Sequence, residues 1–282
     1  MLSGEPNAAA RFEHLIGGPD EDIDLAEAAL LIAKNAYRDL DVSLYLSRID
    51  RLAARLSAQL PDPCRETDRI QALNRFLFQE QGFAPNTDDY YDPRNSYLND
   101  VLERRTGIPI TLSILYMEIG RRIGLPLKGV SFPGHFLVKC HVEEGTVVLD
   151  PYCNGASLSL HDLQQRLREV KGGEVSRAIV ASMLVAANKK EIIARVLRNL
   201  KAIYSSREDD DRALAVMDWI VALAPSAADE VRDRGLLYAK LECFRAALSD
   251  LEQYLQLSPG AEDGEDIRKR VVELRQLVAR LN

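Results

Sequence analysis

The sequence predicts an α+β fold: a helical N-terminal segment, a core with a small antiparallel sheet, and an all-helical C-terminal third. Three observations predict it. Apolar residues recur at helical spacing between residues 22 and 82. Three short stretches between residues 127 and 152 have the β-branched or alternating character of strands. From about Lys190 onward the pattern is helical again, and it repeats every 34 residues, as from Tyr204 to Tyr238.

Residues 1–20 are small, polar and glycine-rich, and they read as a flexible tail. The first helix follows in "DEDIDLAEAALLIAKNAY". Asp22 or Asp24 can cap it, Glu27 stands three after Asp24, and Leu25, Ala28, Ala29, Ile32 and Ala36 share one face. The second helix, "DVSLYLSRIDRLAARLSAQL", is expected to bury Leu44, Leu52, Leu56 and Leu60 and to stop at Pro61 and Pro63. A third, "CRETDRIQALNRFLFQEQGF", ends on Gly82 as its C-terminal cap.

"APNTDDYYDPRNSYLND" is a loop rich in Asn, Asp and Pro. Loops of this length in compact domains often carry function. Tyr90, Tyr91, Asn95, Tyr97 and Asn99 are candidate binding residues, and the alternative is that the tyrosines pin the loop to the core. "YLNDVLERR" is a short helix.

The helix starting near Pro109 has Ile110, Ile114, Leu115, Met117 and Ile119 around most of its circumference, so it is expected to be buried nearly all round. Gly124 and Pro126 end it. "LKGVSF", "HFLVKCHV" and "TVVLDPY" read as strands, the last two joined by a turn at "EEGT". "SLSLHDLQQRLREV" returns to helix with Ser159 as its cap.

In the last third Tyr204 maps to Tyr238, Ala213 to Ala247, Met217 to Leu251, Val221 to Leu255, Leu223 to Leu257 and Pro225 to Pro259. This period resembles the tetratricopeptide repeat, in which each helical hairpin buries its apolar face only against a neighbour. Small Ala213 and Ala247 allow close helix approach, and the two prolines end each unit. Lys201, Arg234, Ile220 and Tyr254 depart from the usual pattern. "EDIRKRVVELRQLVARL" reads as a capping helix.

Composition narrows the function classes. The net charge of -7 argues against an open nucleic-acid surface. No apolar run reaches the roughly 18 residues of a membrane span, and the N-terminus has no signal-peptide pattern. Cys64, Cys140, Cys153 and Cys243 form no paired motif, which fits reduced thiols in the cytoplasm. With only four histidines, the same scatter argues against zinc, and no cofactor is expected.

One constellation carries chemistry. A buried helix, a histidine at the head of the next strand and an aspartate on a second strand resemble the layout of papain-like and transglutaminase-like enzymes. There a cysteine sits at the helix N-terminus, where unpaired N–H groups and the helix dipole favour a thiolate. The histidine shares its proton and a third group orients the ring. By resemblance, "GIP" and "GLP" bracket the helix, His135 matches the histidine, Asp150 the aspartate, and Pro109 stands at the nucleophile position. Proline cannot attack, yet it suits the first turn of a helix. Ser113 lies one turn deeper and reads as hydrogen-bonded to its own helix. Cys140 falls on the opposite strand face from His135, and Cys153 sits in a turn. His14, His141 and His161 carry no pattern.

"YYDPRNSYLNDVLERRTGIPITLSILYMEIGRRIGLPLKGVSFPGHFLVKC", with "LDPY" after it, resembles the bacterial SirB-type family. That resemblance implies a helical segment and transglutaminase-like core over residues 21–185 and tetratricopeptide repeats over 186–282. The family's own pattern has proline at the Pro109 position. The expected function is therefore non-catalytic binding of a protein or peptide partner, with a regulatory role and a vestigial His135–Asp150 pair. The alternative is a residual hydrolase or transferase using that pair with Ser113, Cys153 or water.

Overall fold

The computed structural model describes residues 8–143 and 145–280. The chain divides between Val196 and Leu197 into two compact units. The α+β fold class stands, with one small antiparallel sheet and a helical C-terminal third.

The tail expectation fails from residue 8. Ala8–Gly17 is a helix, α1, whose Phe12 and Ile16 are buried. Apolar residues four apart outweigh the small, polar surroundings that made the segment read as a tail. Residues 1–7 lie outside the described residues. Helix α2 (Leu25–Ala36) starts as expected, with the Asp24 carboxylate accepting the Glu27 N–H at 2.9 Å. In α3 (Val42–Ser57) the buried residues are Val42, Ile49, Ala53 and Leu56. Leu44, expected inside, is exposed, because the face turned to the core runs through Ile49 and Ala53 instead. Helix α4 (Glu66–Asn74) continues into a π-helical turn, Arg75–Glu80. Gly82, at φ 72°, then turns the chain as a C-terminal cap.

The next segment is short but ordered. Strand β1 (Ala84–Pro85) pairs in parallel with β2 (Thr106–Gly107), which closes the loop between them. Helix α5 (Leu98–Arg104) lies inside that closure. Helix α6 (Pro109–Arg122) is buried without a break from Pro109 to Gly120, so the all-round burial expected of it is met. Each of its buried aliphatic side chains contributes about 1.5–3 kcal/mol. Its one buried carboxylate, Glu118, is paired with Arg122 at 2.5 Å and Arg121 at 2.9 Å.

Strands β3 (Lys128–Val130), β4 (Leu137–Val142), β5 (Gly145–Asp150) and β6 (Ala156–Leu158) form the antiparallel sheet in chain order. The β4–β5 turn includes Glu144, which lies outside the described residues. Helices α7 (Leu160–Lys171) and α8 (Arg177–Met183) cover one face. Leu163, Leu167 and Val180 pack there with Val130, Phe132, Leu137 and Val148. Ser159 caps α7, donating to and receiving from Asp162, as expected.

Helix α9 (Lys189–Ser206) carries the boundary between the units. Helices α10 (Asp210–Leu223), α11 (Ala228–Lys240), α12 (Phe244–Leu257) and α13 (Gly264–Arg280) follow. Ala213 and Ala247 are buried where helices close on each other. Two of the four departures from the repeat pattern, Lys201 and Arg234, are explained by ion pairs. Lys201 binds Glu230 at 2.7 Å and Asp233 at 2.6 Å. Arg234 grips Asp250 with two bonds of 2.7 and 2.8 Å and reaches Asp218 at 3.0 Å. Arg234→Leu restores an apolar residue but strands the buried Asp250 carboxylate. The expected loss is about 2 kcal/mol in urea unfolding. Adding Asp250→Leu is expected to recover most of it.

Candidate functional site

Asp150 ends β5 and caps the single 3₁₀ turn Pro151–Cys153. Its Oδ1 accepts the N–H groups of Tyr152 at 3.0 Å and Cys153 at 3.3 Å. Pro151 has no N–H to satisfy, so the local sequence "DPYC" closes without a stranded donor. Gly155, at φ 72°, brings the chain back into β6. A Cβ there would sit 1.9 Å from Asn74 Oδ1. Asn74 donates to the Gly155 carbonyl at 2.9 Å and accepts from the buried Tyr116 hydroxyl at 2.8 Å. The end of α4 and the middle of α6 thus clamp the turn that carries Asp150.

His135 lies two residues before β4, in the Pro133–His135 turn, and not on the strand as expected. Glycine at 134, with φ 70°, breaks the extended backbone there. The face parity drawn between His135 and Cys140 therefore does not apply, although Cys140 is buried. The sheet register explains why the pair still meets. Val138 pairs with Leu149, so the residues just before β4 lie opposite the end of β5. The His135 Nε2 to Asp150 Oδ1 distance is 2.9 Å, with Asp150 fully buried and the imidazole side chain 18% exposed. Arg166 Nη1 from α7 stands 2.7 Å from the other carboxylate oxygen. Tyr152 lies edge-on to the imidazole at 5.8 Å, and Arg195 donates to the His135 carbonyl at 3.4 Å.

Burial alone would push the Asp150 carboxyl up. Its bonds to His135 and Arg166 outweigh that and bring it down to about 2. Its charged form is therefore bound more tightly in the folded chain. The stabilisation, about 2 kcal/mol, is complete above the unfolded value near 3.8 and fades as pH falls towards 2. Acid unfolding followed by circular dichroism should lose this component in Asp150→Asn.

Pro109, expected at the nucleophile position, is buried and is the first residue of α6. The preceding turn is fixed by Thr111, whose hydroxyl accepts the Ile108 N–H at 3.2 Å and donates to the Asn95 carbonyl at 2.7 Å. No thiol or hydroxyl hydrogen-bonds the imidazole among the described residues. Burial pushes up the Cys153 thiol, and the Asp150 charge adds to it. Burial also raises Cys140. Ser113 is fully buried and its hydroxyl has no hydrogen-bond partner, so the expected bond to its own helix is absent.

The loop residues divide. Tyr97 packs edge-on to Tyr37 at 5.5 Å and is buried. Tyr90 and Tyr91 are exposed and stack edge-on at 5.3 Å. Asn95 is fully buried and works as a brace: it donates to the Asp89 carbonyl at 2.7 Å and accepts from Asn86 at 3.0 Å and Arg104 at 3.3 Å. Asn99 is buried, with an unpartnered Oδ1. Desolvation raises the Tyr90 phenol, and the guanidinium of Arg195 nearby works against it. Burial raises the Tyr152 phenol as well, and Tyr90 nearby adds to it. Tyr152 and Arg195 thus both contact His135, and Tyr90 lies near each of them.

Comparison with known proteins agrees with this architecture. The model of the transglutaminase-like superfamily matches residues 43–198, and a tetratricopeptide repeat model matches 200–272. A UPF0162 protein of Xylella fastidiosa is 42% identical over 90% of this chain and 91% of its own. Protein SirB1 of Salmonella typhimurium is 26% identical over 88% of this chain and 91% of its own. The chain belongs to the SirB-type transglutaminase-like family. F-box only protein 21 of Pongo abelii is 29% identical over 68% of this SirB-type chain, which covers 31% of that longer protein. No solved structure matches. Among the described residues, no helix is long and apolar enough to cross a membrane.

Sequence reasoning overlooked four residues of the candidate site in this SirB-type chain: Asn74, Tyr152, Arg166 and Arg195. Tyr152 adjoins "LDP" and was open to notice. Arg166 stands two turns into α7, where an exposed arginine is ordinary. Asn74 and Arg195 reach the site only through tertiary packing.

Proposed function

We propose that this protein is a non-catalytic transglutaminase-like and tetratricopeptide protein that binds a protein or peptide partner in a regulatory role. The observation that carries the reading is the His135–Asp150 pair that no thiol or hydroxyl joins among the described residues, in a chain whose α6 opens on a buried Pro109. Neither neighbouring thiol is poised as a thiolate, since burial and the Asp150 charge both oppose ionisation of Cys153. The exposed Tyr90–Tyr91 pair near Tyr152 supports a contact surface there. Aromatic rings give large contact area at small entropic cost. The tetratricopeptide unit, a partner-binding architecture in general, supports the same reading.

A second reading rests on the intact 2.9 Å pair and its accessible imidazole, which could serve as a general base for water. Two measurements separate them. Iodoacetamide and fluorophosphonate probes should label nothing in a His135-dependent way, and labelling lost in His135→Ala would overturn the non-catalytic reading. A pull-down with the intact chain should enrich a protein that the Tyr90→Ala/Tyr91→Ala variant fails to retain. Equal retention by the variant would remove the tyrosine pair as the contact surface.

A further inference from the structure

A cavity of about 400 Å³ opens between α3, the Gly82 turn and the end of α5. It is lined by Arg48, Arg51, Arg55 and Arg105, with Leu52, Phe83 and Leu102 as its apolar wall and Glu103 as its one carboxylate. The charge balance inside it inverts that of the chain, which carries -7 overall. Glu103 is already engaged: it pairs with Arg48 and accepts the Tyr45 hydroxyl at 3.0 Å. Arg55 lies over the Phe76 ring at 5.6 Å and donates to the Gln81 amide oxygen at 3.2 Å, so its position is set without a counter-charge. Among the described residues, no carboxylate pairs with Arg51, Arg55 or Arg105. Three guanidinium groups without counter-ions, converging on one concavity, repel one another until an anion arrives.

Arg105 adds a backbone argument. It ends α5 at φ 55°, in the left-handed region where glycine is the easy occupant. A side chain held there is strained, and such positions gather at functional sites.

We propose that this cavity is a binding site for a small phosphorylated molecule carrying at least two negative charges, of nucleoside diphosphate or pyrophosphate type. Guanidinium forks match phosphate oxygens in pairs of hydrogen bonds. A single carboxylate would leave two of the three cations unmatched. The volume suits a small ligand, and the Leu52–Phe83–Leu102 wall can cover an apolar or planar portion. This site is built from α3 and α5 and stands independently of the partner-binding reading at His135.

The test is isothermal titration of the full chain with inorganic pyrophosphate and with ADP at low salt. Saturable binding to at least one of them is expected. Arg51→Glu and Arg105→Glu should each weaken it at least about tenfold, as should 0.5 M sodium chloride. Arg51 and Arg105 are exposed, so the fold should survive, which circular dichroism melting checks. Arg270→Glu, on the exposed face of α13, changes net charge equally and should leave binding intact. The proposal fails if neither probe binds at millimolar concentration. It also fails if the cavity variants bind like the native chain, or if Arg270→Glu weakens binding as much as they do. A doubly phosphorylated peptide that binds where both small probes fail would overturn the small-molecule assignment.

Discussion

Asp150→Ala is expected to destabilise the N-terminal unit by about 3–5 kcal/mol, the largest loss from any single truncation at the site. The carboxylate is fully buried, hydrogen-bonds His135 and the N–H groups of Tyr152 and Cys153 through one oxygen, and pairs with Arg166 through the other. Removing it leaves Arg166, whose side chain is 29% exposed, without its counter-charge and the 3₁₀ turn without a cap. Urea unfolding should show the loss as a lower midpoint. Asp150→Asn should cost less, because it can still accept from the turn. A midpoint unchanged in Asp150→Ala would show that the network contributes nothing to folding, and the account of the site given above would fall with it.

The second large effect is a gain. Pro109→Cys should create a thiol that titrates at about 4–6, against roughly 8.5 for a free cysteine. The first residue of α6 faces the unpaired N–H groups of its own helix, whose dipole favours a negative charge. The same helix packs against the Pro151–Cys153 turn that Asp150 caps. A protonated His135 near the thiolate would hold it further down. Thiolate absorbance near 240 nm, followed against pH, reads this directly, and His135→Ala in the same background should move the titration back up. The exchange removes proline's restriction on the unfolded chain, so a stability loss of about 0.4–1 kcal/mol is expected alongside. A thiol that titrates normally would mean that Pro109 does not stand at a nucleophile position, and the proposed loss of catalysis would have no structural basis.

Elements whose periodicity was strong were legible without coordinates. Helix α6 reads as apolar on every side because it is buried on every side. The 34-residue spacing survives Lys201 and Arg234 because their partners, Glu230, Asp233 and Asp250, replace apolar packing with ion pairs. Helix α1, β6, the β1–β2 pair and the π-helical turn were not legible. They are short, and their stability comes from what they touch. Leu44 shows the same limit on a longer helix, since amphipathic spacing names a face but tertiary packing chooses how far it rotates towards the core.

By itself, the sequence determined the chemistry on offer: a proline at the helix head, a histidine and an aspartate fifteen residues apart along the chain, and a helical repeat behind them. Only the tertiary structure decided that the histidine sits in a turn before the strand, that Arg166 completes the aspartate's partners, and that three uncompensated arginines face one cavity. The reason is physical. Local propensity and spacing act over a few residues, whereas hydrogen bonds, ion pairs and burial are settled by which distant segments the packed core brings within a few ångströms of each other.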